Sequence, residues 1–468
     1  MPVNASLTFI GAAQQVTGSC YLLQLNQQKF LLDCGMVQGA DQVREWHSFR
    51  FPFKPKDINA VILSHAHIDH SGLLPLLVAK GFKGKIYCTP GTAELLPVLL
   101  KDSVSLYLKD LEWQNKKAAR AGKKIHEPVM ALNDVERVSE LVQALSYNKR
   151  SFPLPGVELE FADAGHILGS AIVQLWLKGK QAMRKLVFSG DLGNPATVLL
   201  PAATVIDQAD IVLMESTYGN RDHQPLANTI EEFASALSEA FDAGGNVFIP
   251  AFALGRSQEI LYYLALLYRQ GRLKQRLVFL DSPMAISITK IYDEYLHRLD
   301  QIDLDRIGYN KGMTLEQLLP MLKLSESNDD SMAINRVTHG AIIIAGSGMC
   351  NGGRIVHHLK HNLWKNTNHL IFVGFQARGT LGRRLVDGEK RVKMFGQEIV
   401  VKAKIHTIGG FSAHAGQAEL LQWAKAIAGE PAFYLVHGEH EAQRILQDKL
   451  ADLGIHAQIP AKSEVIDF

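Results

Sequence analysis

Short apolar and alternating segments fill the first part of the chain. Residues 1–11, 21–25 and 30–32 carry strand-like patterns separated by Gly- and Asn-containing turns, which predicts an antiparallel meander. An apolar run at 60–63 reads as a buried strand, followed by a histidine-rich loop and a helix beginning near Ser71. From about 92 to 145 the pattern is helical, and the basic residues from Lys101 to Lys124 are expected on a solvated helix face, where Lys is a favourable helix former. Strand patterns return at 157–162, 171–177, 185–189 and 211–214.

Beyond residue 218 the pattern becomes strand, Gly-containing or polar loop, then helix, repeated with strands at 246–249, 277–280, 341–344 and 370–373. Such alternation predicts a parallel sheet covered on its faces, with its functional edge at the carboxyl ends of the strands. Residues 325–331 read as a polar loop, 398–407 as one strand, and the chain closes with a strand–helix unit that contains His437.

Composition narrows the picture only by exclusion. At 468 residues the chain suits two domains or one with a large insertion, and 47% hydrophobic with 21% charged residues is ordinary for a globular protein. With 49 Lys+Arg against 47 Asp+Glu, any nucleic-acid footprint must be local. The strand-like start argues against a signal peptide, and the apolar runs are too short to span a membrane. Cys20, Cys34, Cys88 and Cys350 are widely spaced without a C-x-x-C pair, so they read as core residues in a reducing, cytoplasmic setting.

The segment Ser64-His65-Ala66-His67-Ile68-Asp69-His70 places three imidazoles and a carboxylate directly after a buried strand. His65 and His67 can project to one side of an extended loop while Asp69 and His70, at a helix start, face another, which suits two metals rather than one. Imidazole and carboxylate ligands without cysteine point to zinc, with manganese and iron as alternatives, in an open catalytic site. Further ligands stand beside glycine at later strand ends: His166, Asp191 and His437.

In order, Asp33, the 65–70 run, His166, Asp191 and His437 resemble the signature of the metallo-β-lactamase superfamily. The stretch between Glu215 and His414 is similar to the β-CASP insertion of mRNA 3′-end-processing endonucleases and ribonuclease J. This resemblance implies an α/β fold, an αββα sandwich formed by residues 1–217 and 396–468, with an inserted parallel α/β domain at 218–395. It implies two zinc ions, the first held by His65, His67 and His166, the second by Asp69, His70 and His437, with Asp191 bridging and Asp33 orienting a ligand imidazole. Glu215, His414 and His437 match the three β-CASP motifs. Histidine at the last of these marks the members that act on RNA.

The implied reaction is hydrolysis of single-stranded RNA by a hydroxide activated between two ions about 3.5–4 Å apart, a geometry in which bound water becomes a nucleophile at neutral pH. Asp69 belongs to that catalytic centre. His414, held charged by Glu215, is expected to protonate the leaving 3′-oxygen, leaving 5′-phosphate and 3′-hydroxyl ends. The loops with Ser347, Gly348 and Met349 and with Arg378, Thr380 and Arg383 are candidate phosphate cradles, aided by Arg256 and Arg354. Trp46 and Phe49 could stack bases or pack in the core. Endonucleolytic and 5′-exonucleolytic action both fit, and a homodimer is expected from the family alone. Two other readings use the same metal core: a hydrolase of a small ester or thioester, which leaves Glu215 and His414 without a task, and a non-catalytic RNA-binding scaffold, whose relatives have lost ligands that this chain retains.

Overall fold

The computed structural model describes residues 5–37, 49–179 and 182–468. Two compact units emerge, one formed by Met1–Pro195, Ala202–Asp222 and His414–Phe468, the other by Ala196–Pro201 and His223–Ala413.

In the first unit, β1 (Ala5–Gly11), β2 (Cys20–Leu25) and β3 (Gln28–Leu32) form the antiparallel meander. Parallel strands β4 (Ala60–Ile62), β5 (Lys85–Cys88) and β6 (Val142–Ala144) extend it, and β22 (Val465–Asp467) flanks β1. The second sheet runs through β7 (Ser151–Leu154), β8 (Val157–Asp163), β9 (Ala171–Lys178), β10 (Met183–Phe188), β11 (Ile211–Glu215), β20 (Ala432–Val436) and β21 (Ala457–Gln458). Alternate side chains of both sheets, among them Phe9, Tyr21, Phe30, Phe161, Leu175, Phe188 and Leu213, interdigitate in one apolar layer.

Helices cover the outer faces. Pro90–Arg120 buries Leu96, Leu100, Val104, Tyr107 and Leu111, spaced by three or four residues, against the first sheet. Gln417–Ala426 and His440–Asp452 pack Leu420, Trp423, Leu446 and Leu450 on the second. The layers are therefore helix, sheet, sheet, helix. The helical reading of 92–145 breaks twice: residues 121–131 separate the helices Pro90–Arg120 and Leu132–Leu141, and Val142–Ala144 pairs with β5, because it lies along an exposed sheet edge with backbone groups to satisfy. The helix expected near Ser71 begins at Ile68, with His67 at its N-cap.

The second unit is built on a parallel sheet of β12 (Val247–Pro250), β13 (Leu277–Leu280), β14 (Leu322–Leu324), β15 (Ala341–Ala345), β16 (His369–Phe372) and β19 (Lys404–Thr407), in the order β14-β13-β15-β12-β16-β19. The expected single strand at 398–407 is two strands in different sheets. β18 (Gln397–Val400) pairs with β17 (Arg391–Met394), whereas the N–H groups of Lys402 and Ala403 turn to the Leu363 carbonyl before β19 begins. Residues 325–331 are more than a loop, since Ser327 caps the helix Asn328–Ile334 in a reciprocal box with Asp330. Among the described residues, no helix is long and apolar enough to cross a membrane. All four cysteines are buried and free, and burial pushes the Cys88 and Cys350 thiols up to about 12.

Candidate metal centre

Strand ends at one edge of the first unit deliver all the chemically singled-out side chains of that unit except His414. Asp33 follows β3, the 64–70 loop follows β4, His166 follows β8, Asp191 follows β10, Glu215 ends β11 and His437 follows β20. The histidine loop is strapped to the β1–β2 connection by a backbone bond from Ser19 to Asp69, and to the loop after β3 by bonds from Cys34 to His70 and from Met36 to Ile68. Gly35 allows this approach, because a Cβ there would lie 1.6 Å from the Asp69 carbonyl oxygen. His437 takes a left-handed backbone conformation, φ 50°, with its N–H held by the Ala12 carbonyl at 2.8 Å.

Two groups of donors result. Ligand atoms of His65, His67, His166 and Asp191 lie within 4.8 Å of one another, as do those of Asp69, His70 and His437. Asp191 stands between them: Oδ2 is 3.5 Å from His65 Nε2 and 3.6 Å from His166 Nε2, while Oδ1 is 3.3 Å from His70 Nε2 and 3.5 Å from His437 Nδ1. His65 Nε2 and His67 Nδ1 approach to 3.1 Å, and His166 Nε2 and His67 Nδ1 to 3.3 Å.

These residues fit divalent cations. Asp191 is 2% exposed and its Oδ1 lacks a hydrogen-bond partner, a costly state for a buried carboxylate oxygen that a cation would relieve. Nitrogen lone pairs converging at near 3 Å are likewise a donor set suited to zinc.

Asp33 sets the tautomer of His70. Its Oδ2 accepts from His70 Nδ1 at 2.7 Å, from Ser19 Oγ at 2.9 Å and from Ser64 Oγ at 3.0 Å, and Oδ1 accepts from the Ser64 N–H at 2.8 Å. Asp33 keeps a proton on Nδ1, so Nε2 is the nitrogen that a cation would take, in place of any proton held there. Burial leads the lowering of His65 well below the usual imidazole range and of His67 to about 4, so both are neutral, as a ligand must be, whereas for His70 the Asp191 and Asp33 carboxylates outweigh burial and hold the imidazole well above its usual range until a cation takes the place of the proton. For Asp191 burial works the other way, yet His437, His70 and His65 outweigh it and hold the carboxyl well below its usual range.

Beside this centre, fully buried Glu215 accepts from the Leu192 N–H at 2.8 Å and the Thr217 N–H at 3.2 Å, and its Oε1 lies 3.2 Å from His414 Nδ1. Burial disfavours a charged His414, but the Glu215 carboxylate and its hydrogen bond prevail and raise the imidazole to about 9. His414 is not at a helix start: it bridges Gly193, and the following helix is capped by Gly416. A third contact follows, with His414 Nδ1 3.9 Å from Asp191 Oδ2. Ser19, Ser64 and Thr217, the last 3.1 Å from His437 Nδ1, are supporting groups that the sequence reading passed over, although Ser64 and Thr217 adjoin recognisable motifs.

In the second unit, the loops after β15 and β16 are tied together. The Gly382 N–H donates to the Met349 carbonyl at 3.1 Å, and Gln376 Nε2 to the Gly348 carbonyl at 3.0 Å. Ser347 Oγ accepts from the Asn351 N–H at 3.1 Å, and Thr380 caps the helix Leu381–Val386 through the Arg383 N–H. Arg378 is exposed and Arg383 pairs with Asp387 at 2.9 Å. Two other arginines serve the fold: Arg256 pairs with Glu259, and Arg354 binds buried Asp281 at 2.7 Å and the Ser325 carbonyl at 2.8 Å. Trp46 lies outside the described residues, and Phe49 packs edge-on to Phe51 at 5.0 Å against the helical core layer.

Comparison with known proteins adds the following. Residues 14–211 match the family described as the metallo-beta-lactamase superfamily, 257–385 the Beta-Casp domain, and 398–460 the Zn-dependent metallo-hydrolase RNA specificity domain. Ribonuclease TTHA0252 of Thermus thermophilus is 40% identical over 94% of this chain and 95% of its own length. The RNase J-like protein of Methanocaldococcus jannaschii is 33% identical over 92% of each. Transcription termination factor FttA of Methanosarcina mazei is 32% identical over 93% of this chain and 67% of its own. A solved structure of a protein of unknown function from Enterococcus faecalis V583 has a TM-score of 0.54 at 12% identity, covering 99% of this chain and 100% of that one, a likeness of fold alone.

Proposed function

Because this chain belongs to the β-CASP branch of the metallo-β-lactamase superfamily, we propose that it is a metal-dependent ribonuclease acting on single-stranded RNA. One observation carries the reading: a buried carboxylate, Asp191, with one oxygen towards each of two histidine groups, adjoins a Glu215–His414 pair. The names of the Thermus and Methanocaldococcus relatives support RNA as the substrate.

In this proposal His65, His67, His166 and Asp191 would hold one zinc ion and Asp69, His70, His437 and Asp191 a second, with manganese as an alternative metal. Two such ions, when bound, supply a nucleophilic water at neutral pH and charge stabilisation for a phosphate oxygen. The remaining work belongs to the chain. Asp33 keeps the His70 proton on Nδ1, Glu215 orients His414 through Nδ1, and His414 passes a proton from Nε2 to the departing 3′-oxygen. Products then carry 5′-phosphate and 3′-hydroxyl ends. The 347–349 and 378–383 loops are the proposed contacts to the RNA backbone, with exposed Arg378 supplying charge. A small-ester hydrolase would leave the Glu215–His414 pair and the second unit without a task.

The test is cleavage of a labelled single-stranded RNA and the matched DNA before and after chelation. RNA-selective cleavage that stops with chelator and returns with Zn2+ supports the proposal; an inert, zinc-loaded enzyme refutes it.

A further inference from the structure

A second histidine constellation stands in the other unit, on elements that the reaction above does not use. His369 opens β16, His406 lies in the neighbouring parallel strand β19, and Glu239 sits on the helix Leu226–Asp242, which packs on β16. In the pairing of these strands His369 lies opposite Lys404, and Ile371 opposite His406. Paired residues project to one face of a sheet and so do residues two apart, so His369, Lys404 and His406 share a face. His369 Nδ1 and His406 Nε2 are 2.9 Å apart with their rings stacked, and one ligand atom each from Glu239, His369 and His406 lie within 4.8 Å of one another.

We propose that Glu239, His369 and His406 form a separate binding site for a zinc-type divalent cation. Three donors from three elements, two imidazoles and one carboxylate, are the ligand set of an open tetrahedral site whose fourth position goes to water. Zinc bonds of about 2.0–2.1 Å imply nitrogen–nitrogen edges of about 3.3 Å, so the rings need to part by only about 0.4 Å. Without an ion the two rings share one proton; binding moves it to the donor ring's other nitrogen, a tautomer change open to any neutral imidazole. Burial leads the lowering of both histidines, His369 to about 4, so the pair is neutral at pH 7 and ready to ligate.

The carboxylate already attracts a cation, for Glu239 is paired with Lys404, and both side chains are about half exposed, at 47% and 54%. The lysine can swing into solvent when a doubly charged ion arrives. An ion here would pin β19, a four-residue edge strand, to its neighbour and to the covering helix. The site is independent of the catalytic reading, since all its donors lie in the second unit.

Equilibrium dialysis of the full chain against buffered free Zn2+, with metal counted per chain, tests it. Glu239→Ala changes a half-exposed helix position and His406→Asn removes one ring; circular dichroism verifies that each is folded. The wild type should bind one equivalent more than either variant. Equal binding by the wild type and Glu239→Ala would overturn the three-donor site, whether or not His406→Asn also binds equally.

Discussion

Asp33→Asn changes one atom at a fully buried position and isolates what the second layer of the centre contributes. The aspartate sits at φ 58°, a conformation that asparagine also tolerates, so the backbone has no reason to move. Oδ1 receives one N–H and Oδ2 receives three donors, from Ser19, Ser64 and His70. An asparagine that keeps its carbonyl on the Ser64 N–H places an NH2 group where Oδ2 was. Both serine hydroxyls can rotate to accept from it; His70 can accept only by moving its proton to Nε2. That proton then points at His437 Nε2 and Asp191 Oδ1, 3.1 and 3.3 Å away, where the proposal places an ion. Loss of such an orienting partner weakens metal binding about 10–100-fold, or about 1.4–2.7 kcal/mol. Dialysis against a series of zinc buffers should show one of the two equivalents in this centre weakened to that extent while the other keeps its affinity. Wild-type affinity at both positions would refute the tautomer argument.

Three further outcomes follow from the same geometry. His414→Ala should lower the cleavage rate about 10²–10⁴-fold with metal content unchanged, and adding Glu215→Gln should cost little more, because the two act as one unit; additive losses in single-turnover assays would count against that coupling. Chelation should lower the thermal midpoint reversibly, as it returns Asp191 Oδ1 to an unpaired buried state, so an unaltered midpoint with metal verifiably removed would contradict the fit argued for the site. Asp281→Ala strands Arg354 and His358, bonded to that carboxylate at 2.7 and 2.6 Å, and should destabilise the second unit by about 3–5 kcal/mol, read as an earlier unfolding transition with metal binding retained below it.

Much of the centre could be read directly because its ligands cluster in sequence or abut glycine at strand ends: three histidines and Asp69 fall in one loop, and His166, Asp191 and His437 each adjoin a glycine. Strand and helix periods were likewise plain wherever one face is buried, as in β1 and the helix Pro90–Arg120. Where local pattern runs on through a break, it misleads. Residues 397–407 keep an extended, mixed character, and only the pull of the Leu363 carbonyl on two successive N–H groups separates β18 from β19. At 325–331 polarity masked a capping signal, Ser327 followed three residues later by Asp330. Arg354 looked like a phosphate ligand because its partner, Asp281, is distant in sequence, and the His369–His406 pair was hidden for the same reason. Contacts between residues tens of positions apart leave no local trace.

The most direct measurement is the chemistry of the cut ends: 5′- and 3′-labelled single-stranded RNA digested by wild type and His414→Ala at equal zinc content, with the termini identified by phosphatase and ligase treatment. The account predicts 5′-phosphate and 3′-hydroxyl ends from the wild type and almost no product from the variant. Products ending in 2′,3′-cyclic phosphate, or undiminished cleavage by His414→Ala, would contradict it.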